Sequence, residues 1–248
     1  MNIDHLSYST AKKIYRKGID YALGTKLGLI EESFGEEMEL GNIIHSLALE
    51  DQTTWVISPY DSFRTNDAKA WKAEQELPIL TTDKLARVEK TTQAILAHPL
   101  AKELIATCGI EKEIKATING IDFHGRADGI SEDRKTIFDL KTTAQFDMFK
   151  YQVFKMDYDL QAAIYSLFGN DAKFYFVVAE TVAPYRVQIF GTAQEFIEGG
   201  NVKLQKAIEA FQGFRQRPGA NDLERINFNV GETENLDKVE ELGDWSNN

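Results

Sequence analysis

Apolar residues recur at two different spacings along the chain, and the change between them divides it in two. Up to about residue 109 they return every three or four positions, the spacing typical of helices with one buried face. This pattern predicts helices at about 10–21, 36–50, 66–75 and 81–97, with a shorter one after Pro99. Ser9 is the expected N-cap of the first helix, because its side-chain oxygen can accept from a free backbone N–H.

The alternating spacing typical of strands begins where these helices end. Residues 110–118 and 121–128 alternate between apolar and polar, and Asn119-Gly120 between them is a strong two-residue hairpin signal. A turn at 131–134 leads into a third strand, 135–143. The pattern therefore predicts a three-stranded antiparallel meander.

Helices and strands alternate in the remainder of the chain. The pattern predicts helical stretches to about 154 and over 158–168, strands at 174–179 and 185–190, and a long helix at 193–216 with a candidate break at Gly199-Gly200. Residues 218–248 are acidic and poor in large apolar residues, which favours disorder or docking to a partner. We expect a single domain over 1–217, with a helical part over about 1–109 and a part of strands and helices over about 110–217.

Composition narrows the class of protein. The 43% hydrophobic content supports a sizeable core, and the single cysteine, Cys108, excludes an intrachain disulfide and a cysteine-based zinc site. With 28 Lys and Arg against 39 Asp and Glu, the net charge of −11 argues against non-specific coating of nucleic acid, which depends on neutralising phosphates. No apolar run approaches the ~20 residues that span a membrane, and the N-terminus lacks a signal-peptide pattern. We expect a soluble, cytoplasmic protein.

The meander carries the most informative polar residues. Asp139 and Lys141 share one face of the third strand, because alternate side chains of a strand point the same way. Taken alone, such a pair is more often a surface ion pair than a site. Asp128 on the neighbouring strand adds a carboxylate, which together with the Leu140 carbonyl suits a hard cation such as Mg²⁺. A bound metal lowers the pKa of water, and Lys141 can orient or deprotonate that water. Glu113, on the first strand, either adds a further ligand or faces solvent.

Residues outside the meander could complete a hydrolytic site. His45, in the helix over 36–50, offers a nitrogen ligand that suits Mn²⁺ better than Mg²⁺, although a histidine in an apolar helix is more often a core residue. Gly41, one turn earlier, indicates that something approaches this face of the helix closely. Gln161 and Tyr165 share a helix face and could hold a phosphate or a flanking nucleotide. Together these groups describe a phosphodiester hydrolase.

Four motifs in a fixed order resemble a known family. They are Gly41-x-x-x-His45, Gly125-Arg126-x-Asp128, Asp139-Leu140-Lys141-Thr142-Thr143 and Gln161-x-x-x-Tyr165. In this order they are similar to the PD-(D/E)XK nuclease superfamily, in its histidine-containing, RecB-like branch, and within it to phage and prophage exonucleases of the RecE (exonuclease VIII) type. The resemblance covers roughly residues 5–215. It implies an α/β, restriction-endonuclease-like core, with a mixed central sheet that contains an antiparallel meander and is flanked by helices.

The resemblance also implies roles for individual residues. His45, Asp128 and Asp139 would bind the metal, together with the backbone carbonyl of Leu140. Lys141 would act in catalysis alongside Asp128 and Asp139.

Other residues are expected on the substrate side of the site. By resemblance, Gln161 and Tyr165 would assist catalysis and contact DNA, and Arg126 within the second motif would contact DNA. Lys12 and Arg16 belong to the basic side of the first helix. That side is either a solvated face or a phosphate-contacting surface, and we expect both residues to contact DNA.

The activity implied by the resemblance is Mg²⁺-dependent hydrolysis of linear double-stranded DNA in the 5′→3′ direction, leaving 3′ single-stranded tails for recombination by single-strand annealing. Mn²⁺ is expected to substitute for Mg²⁺. The expected assembly is a ring-shaped trimer or tetramer, working beside an annealing protein of the RecT type in the cytoplasm of a bacterial host. The alternatives are a structure-specific or single-strand nuclease of the same fold, and a catalytically idle DNA-binding module.

Overall fold

A mixed β-sheet with helices on both faces forms the centre of the computed structural model, which describes residues 4–32, 35–169 and 172–217. Its strands are β1 (His5–Leu6), β2 (Val56–Ile57), β3 (Ile79–Leu80), β4 (Cys108–Ile118), β5 (Ile121–Ser131), β6 (Thr136–Thr143), β7 (Lys173–Glu180) and β8 (Val187–Gly191). Its helices are α1 (Tyr8–Lys17), α2 (Ile19–Lys26), α3 (Glu36–Glu50), α4 (Asn66–Ala73), α5 (Thr82–Ala97), α6 (Pro99–Thr107), α7 (Phe149–Gln152), α8 (Tyr158–Ser166) and α9 (Gln194–Arg215). A 3₁₀ turn at Phe146–Met148 precedes α7.

Three strands form the predicted antiparallel meander. β4 pairs with β5 from Cys108–Ser131 to Ile118–Ile121, with the one interruption at Glu111, which has a φ of 51°. β5 pairs with β6 only at Gly129–Phe138 and Ile130–Ile137. β6 then runs parallel to β7, which pairs antiparallel with β8. The expected mixed sheet is confirmed, and most of β5 has no partner in β6.

A short strand that the hydrophobic pattern did not indicate also joins β5. β1 runs parallel to β5 through the pairs His5–Asp122 and Leu6–Phe123. Because β4 occupies the other side of β5, β1 and β6 share one side, at opposite ends of the strand. The pattern missed β1 because two residues are too few to display a period of two. The short parallel pair of β2 and β3 escaped for the same reason.

Helices pack on both faces of the sheet around two apolar cores. The first core joins α1, α2, α8 and α9 to one face, which contributes Ile137, Phe174, Phe176 and Val178 from β6 and β7. The second joins α3, α5 and α6 to the opposite face, which contributes Phe138, Leu140, Val177 and Ala179. Since side chains alternate along β6, Asp139 and Lys141 project to the α8 side while Leu140 is anchored in the second core.

The start of the chain differs from the predicted pattern in two ways. Ser7, not Ser9, caps α1, because its side-chain oxygen accepts a hydrogen bond from the Thr10 N–H at 3.2 Å. The single helix predicted to reach about residue 21 is divided at Gly18. Gly18 has a φ of 85°, a conformation that glycine adopts at low cost and that ends α1.

Two predictions about the organisation of the chain are not tested by this architecture. The acidic tail over 218–248 lies outside the described residues. The division of 1–217 into a helical part and a part of strands and helices stays a prediction. In the part of the chain that is described, no helix combines the length and apolar character needed to cross a membrane.

The helix α9 is continuous through Gly199-Gly200, where a break was a candidate. The reason for glycine is the close crossing of α8. A Cβ at Gly200 would lie 2.0 Å from the Asp159 carbonyl oxygen and 2.8 Å from the Ala163 Cβ. A Cβ at Gly199 would meet only the Asp159 carboxylate, at an ordinary 3.6 Å.

We therefore predict opposite effects for two neighbouring substitutions. Gly200→Ala should lower the free energy of unfolding by about 1–3 kcal/mol, because backbone cannot yield to the new methyl group. Gly199→Ala should leave stability unchanged or raise it by up to about 1 kcal/mol, the helix-propensity difference between the two residues. Urea unfolding of both variants checks this. Equal destabilisation by the two would contradict the tight crossing at Gly200.

Candidate active site

The strands β5 and β6 separate at one point, and the acidic residues converge there. Beyond the Gly129–Phe138 pair, the antiparallel register would place Ala127 opposite Leu140. Instead the Asp128 carboxylate accepts a hydrogen bond from the Leu140 N–H at 2.7 Å. We call the gap between β5 and β6 at Asp128 the fork. The N–H and C=O of one strand residue face the same side, so the Leu140 carbonyl also points into the fork. Asp128 and Leu140 therefore lie together, as the sequence predicted.

Helix α3 brings His45 to the same fork. His45 Nε2 lies 3.0 Å from Asp128 Oδ2 and 3.4 Å from Glu111 Oε1. Gly41 allows this approach, because a Cβ there would lie 2.7 Å from Thr142 Oγ1 on β6. Burial alone would lower the pKa of His45, but the hydrogen bond and negative charge of Asp128 outweigh it and raise that pKa. His45 therefore contacts the acidic residues of the fork and is not enclosed in an apolar core, and its role as a metal ligand stays a prediction.

The β4 carboxylate at the fork belongs to Glu111 and not to Glu113, the residue that we considered as a further metal ligand. The flanking pairs Ile110–Gly129 and Lys112–Ala127 place Glu111 directly opposite Asp128. The Glu111 side chain is 18% exposed, whereas that of Glu113 is 75% exposed. Glu113 reaches only the exposed Arg126 guanidinium, at 4.0 Å.

The pairing of Glu111 with Asp128 could have been predicted from the sequence. Counting outward from the Asn119-Gly120 turn pairs 118 with 121, and therefore 111 with 128. Glu50, at the end of α3, also lies near these groups, and its spacing from His45 gives no such signal. Donor atoms of His45, Glu50 and Glu111 all lie within 4.8 Å of one another.

β6 presents Asp139 and Lys141 as a largely buried ion pair, not the surface pair that is common at this spacing. Lys141 Nζ lies 2.5 Å from Asp139 Oδ2, and the side-chain amide of Gln161 donates to Asp139 Oδ1. The centroid of the Tyr158 ring lies 4.8 Å from Lys141 Nζ. Burial alone would lower the pKa of Lys141, but the charge of Asp139 outweighs it and raises that pKa. Lys141 is therefore held as a cation beside the fork.

Gln161 and Tyr165 project from α8 into the sheet. Gln161 is buried against Asp139, and the Tyr165 hydroxyl donates to the Arg126 carbonyl at 2.9 Å, in the gap between β1 and β6. Both side chains therefore support the site from within the fold. The Arg126 guanidinium is exposed and lies 3.6 Å from Glu111. Contact of these three residues with DNA stays a prediction.

The basic side of α1 is occupied by protein groups. Lys12 Nζ donates to the Met156 carbonyl at 2.9 Å. The Arg16 guanidinium binds both oxygens of the buried Asp157 carboxylate, at 2.6 and 2.7 Å. These contacts give Lys12 and Arg16 a structural role. Their expected contact with DNA stays a prediction.

The groups at the fork suit a divalent cation. The carboxylates of Asp128 and Glu111 lie beside the His45 imidazole, and Asp139 directly precedes Leu140, whose N–H binds Asp128. Carboxylate oxygens with an imidazole nitrogen are a donor set that suits Mg²⁺ or Mn²⁺. Burial raises the pKa of both Asp139 and Glu111, and the charge of Asp128 adds to the effect although His45 opposes it. The ionised carboxylates of Asp139 and Glu111 are therefore costly at this buried position, although Lys141 and His45 offset part of that cost. A bound metal ion would relieve it.

We predict that Glu111, not Glu113, contributes to metal binding. Glu111→Gln should weaken Mn²⁺ binding by about 10- to 100-fold, a loss typical of disturbing the surroundings of a metal. The matched control Glu113→Gln should bind Mn²⁺ like the unsubstituted protein, because that side chain faces solvent. Isothermal titration calorimetry measures both. A larger loss in the Glu113 variant would reverse the assignment.

The fork of β5 and β6, with an acid on each strand and a lysine two residues beyond the second acid, defines a PD-(D/E)XK-like fold. The chain belongs to the family described as the PDDEXK-like domain of unknown function (DUF3799), whose profile matches residues 3–220. The superfamily resemblance and the expected fold class are thereby confirmed.

Three solved structures are similar to this chain at low sequence identity, and one of them shows the same fold. A putative exonuclease from Eubacterium rectale superposes with a TM-score of 0.61 at 13% identity, over 85% of this chain and 82% of that one. LHK-Exo of Laribacter hongkongensis in complex with dAMP gives 0.46 at 13% identity, over 90% and 92%. A phage-related exonuclease from Haemophilus somnus gives 0.37 at 15%, over 85% and 95%. We draw no conclusion from the last two structures, because their TM-scores lie below 0.5. No curated protein matches the chain.

Proposed function

We propose that this protein is a metal-dependent nuclease that hydrolyses phosphodiester bonds of DNA. The observation that carries the proposal is the convergence of Asp128, Asp139 and Lys141 at the fork of β5 and β6. Membership of the PDDEXK-like family supports it, as does the fold shared with a protein described as a putative exonuclease.

The residues of the fork have distinct tasks in this reaction. Asp128, Asp139 and His45, with the Leu140 carbonyl, would hold the metal, and Glu111 would add a carboxylate. When bound, a divalent metal lowers the pKa of water and neutralises charge on a phosphate oxygen. Lys141, kept protonated by Asp139, orients the attacking water and offsets the negative charge that develops on the phosphate. Gln161 fixes the Asp139 carboxylate through its hydrogen bond, so that the acid is preorganised.

The proposal also specifies which DNA is degraded and in which direction. We propose that the enzyme degrades linear double-stranded DNA from an end, 5′→3′, and leaves 3′ single-stranded tails for strand annealing. It would act as a ring-shaped trimer or tetramer beside an annealing protein of the RecT type. The four motifs centred on His45, Asp128, Asp139 and Gln161 support this mode through their resemblance to RecE-type exonucleases.

Digestion of differently labelled DNA tests both parts of the proposal. Linear duplexes labelled at the 5′ or the 3′ end, a nicked circle, a closed circle and a single strand are incubated with Mg²⁺ or Mn²⁺. Early release of mononucleotides from the 5′ label, with the 3′ label retained in long fragments, is the expected result. Preferred cleavage of the single strand or of closed circles would instead indicate the alternative nuclease types. Absence of any metal-dependent cleavage would refute the proposal.

A further inference from the structure

An exposed apolar segment directly follows the strand that carries the ion pair. We call residues 144–157, between β6 and α8, the aromatic segment. Its side chains Met148, Tyr151, Phe154 and Met156 are 47%, 77%, 54% and 41% exposed. Other large apolar side chains that are exposed in the described chain do not cluster in this way along the sequence. A concentration of exposed apolar groups marks an interaction surface.

Both ends of the aromatic segment lie at the candidate active site. It starts directly after Thr143, two residues beyond Lys141. It ends at Asp157, next to Tyr158, whose ring centroid lies 4.8 Å from Lys141 Nζ. The two ends of the segment therefore approach the Asp139–Lys141 pair.

The backbone of the aromatic segment is firmly held. Phe149 is buried in the core beneath it. The carbonyls of 154–156 accept hydrogen bonds from Arg16 at 3.1 and 3.2 Å, from Lys203 at 3.3 Å and from Lys12 at 2.9 Å. The exposed side chains are thus presented from an anchored backbone, which lowers the entropic cost of binding a partner.

The segment itself carries exposed positive charge, although the chain as a whole carries −11. Lys150 and Lys155 are exposed within it. Its two acids are occupied, since Asp147 binds Arg186 at 2.8 Å and Asp157 is buried. The complementary occupant is therefore a polyanion that also offers flat apolar surfaces. Aromatic side chains flanked by lysines are the usual platform for single-stranded nucleic acid.

We propose that the aromatic segment binds unpaired bases at the DNA end, with the Tyr151 ring as the stacking surface and Lys150 and Lys155 beside the phosphates. The proposal rests on the proposed nuclease function and extends it to how the end is held. Met148, Phe154 and Met156 widen the apolar surface. Bases stacked there keep the terminal strand open beside Lys141.

A binding experiment without metal tests this proposal separately from hydrolysis. The probe is a duplex with a short unpaired 5′ overhang that carries 2-aminopurine, in EDTA. Tyr151→Ala should weaken binding about 5- to 150-fold, the loss of one base–aromatic stack, and should abolish quenching of the probe. Tyr151→Trp should retain both, and Ile57→Ala, which removes another exposed apolar side chain, should bind like the unsubstituted protein.

The outcomes separate this proposal from the proposed function. Equal affinity and quenching in Tyr151→Ala, in a protein that still degrades duplex DNA, would overturn the stacking role alone. Absence of hydrolysis in the unsubstituted protein would refute the nuclease function instead. Dissociation of an oligomer in Tyr151→Ala, seen by analytical ultracentrifugation with DNA affinity unchanged, would show that the segment joins copies of this chain and would also overturn the proposal.

Discussion

Replacing Asp139 with Asn should lower the rate of DNA hydrolysis by at least about 100-fold, because the variant loses the carboxylate that we propose as a metal ligand and that pairs with Lys141. The substitution preserves shape and can keep a contact with Gln161, so the fold should persist. Mn²⁺ affinity should fall together with the rate. End-labelled duplex digestion and calorimetric titration measure the two quantities on one preparation.

Lys141→Met should separate catalysis from metal binding. The side chain keeps its apolar length but loses the charge that offsets developing negative charge, and we expect a rate about 100- to 1,000-fold lower. Metal should still bind, because Asp128, Asp139 and His45 remain, and it should restore stability lost by leaving Asp139 without its cation. The exposed Glu113→Gln variant is the control for both substitutions and should stay active. A rate within a few-fold of the unsubstituted protein for either Asp139→Asn or Lys141→Met would refute the catalytic assignment.

Asp157→Ala should lower the free energy of unfolding by about 3–5 kcal/mol, the usual cost of removing one partner from a buried ion pair. Asp157 is fully buried and binds Arg16 at 2.6 Å and Lys203 at 2.9 Å. It also adopts a φ of 58° at the start of α8, which alanine tolerates poorly. Asp157→Asn keeps a residue that accepts this φ and should lose less. As a control, Asp147→Asn removes one partner of the exposed Asp147–Arg186 ion pair and should lower the free energy of unfolding by no more than about 1 kcal/mol.

The same residue gives a pH dependence with a definite sign. Burial alone would raise the pKa of Asp157, but its hydrogen bonds to Arg16 and Lys203 outweigh that and hold it below the ordinary value. Its contribution is therefore complete above about pH 3.9, the unfolded pKa, and is lost as the pH falls through the folded pKa. The stability difference between the unsubstituted protein and Asp157→Asn should shrink in that range. Urea unfolding at several pH values measures it, and a difference that grows on acidification would contradict the assignment.

Much of the architecture follows from local sequence signals. The period of apolar residues located α3 and the strands β4 to β8, and the Asn119-Gly120 turn set the register of the hairpin. The same turn places Glu111 opposite Asp128, a pairing that alternation alone could not distinguish from one with Glu113. Alternation along β6 correctly put Asp139 and Lys141 on one face, since a strand repeats every two residues.

Other features depended on contacts between distant parts of the chain. A helical face shows that Gln161 and Tyr165 point the same way, but not that one meets Asp139 and the other the Arg126 carbonyl. The basic side of α1 was visible in the sequence, whereas its partner Asp157 lies 141 residues from Arg16. Such pairs leave no period in the sequence.

The sequence by itself therefore determined most of the elements and the hairpin register, and it singled out His45, Asp128, Asp139 and Lys141 as candidates, because period, turn type and motif spacing are local properties. The tertiary structure decided that β5 and β6 are apart at Asp128, that Glu111 lies beside His45 and that both ends of the aromatic segment approach Lys141. Those features depend on how α3 and α8 pack against the two faces of one sheet, and only packing brings residues so far apart in sequence into contact.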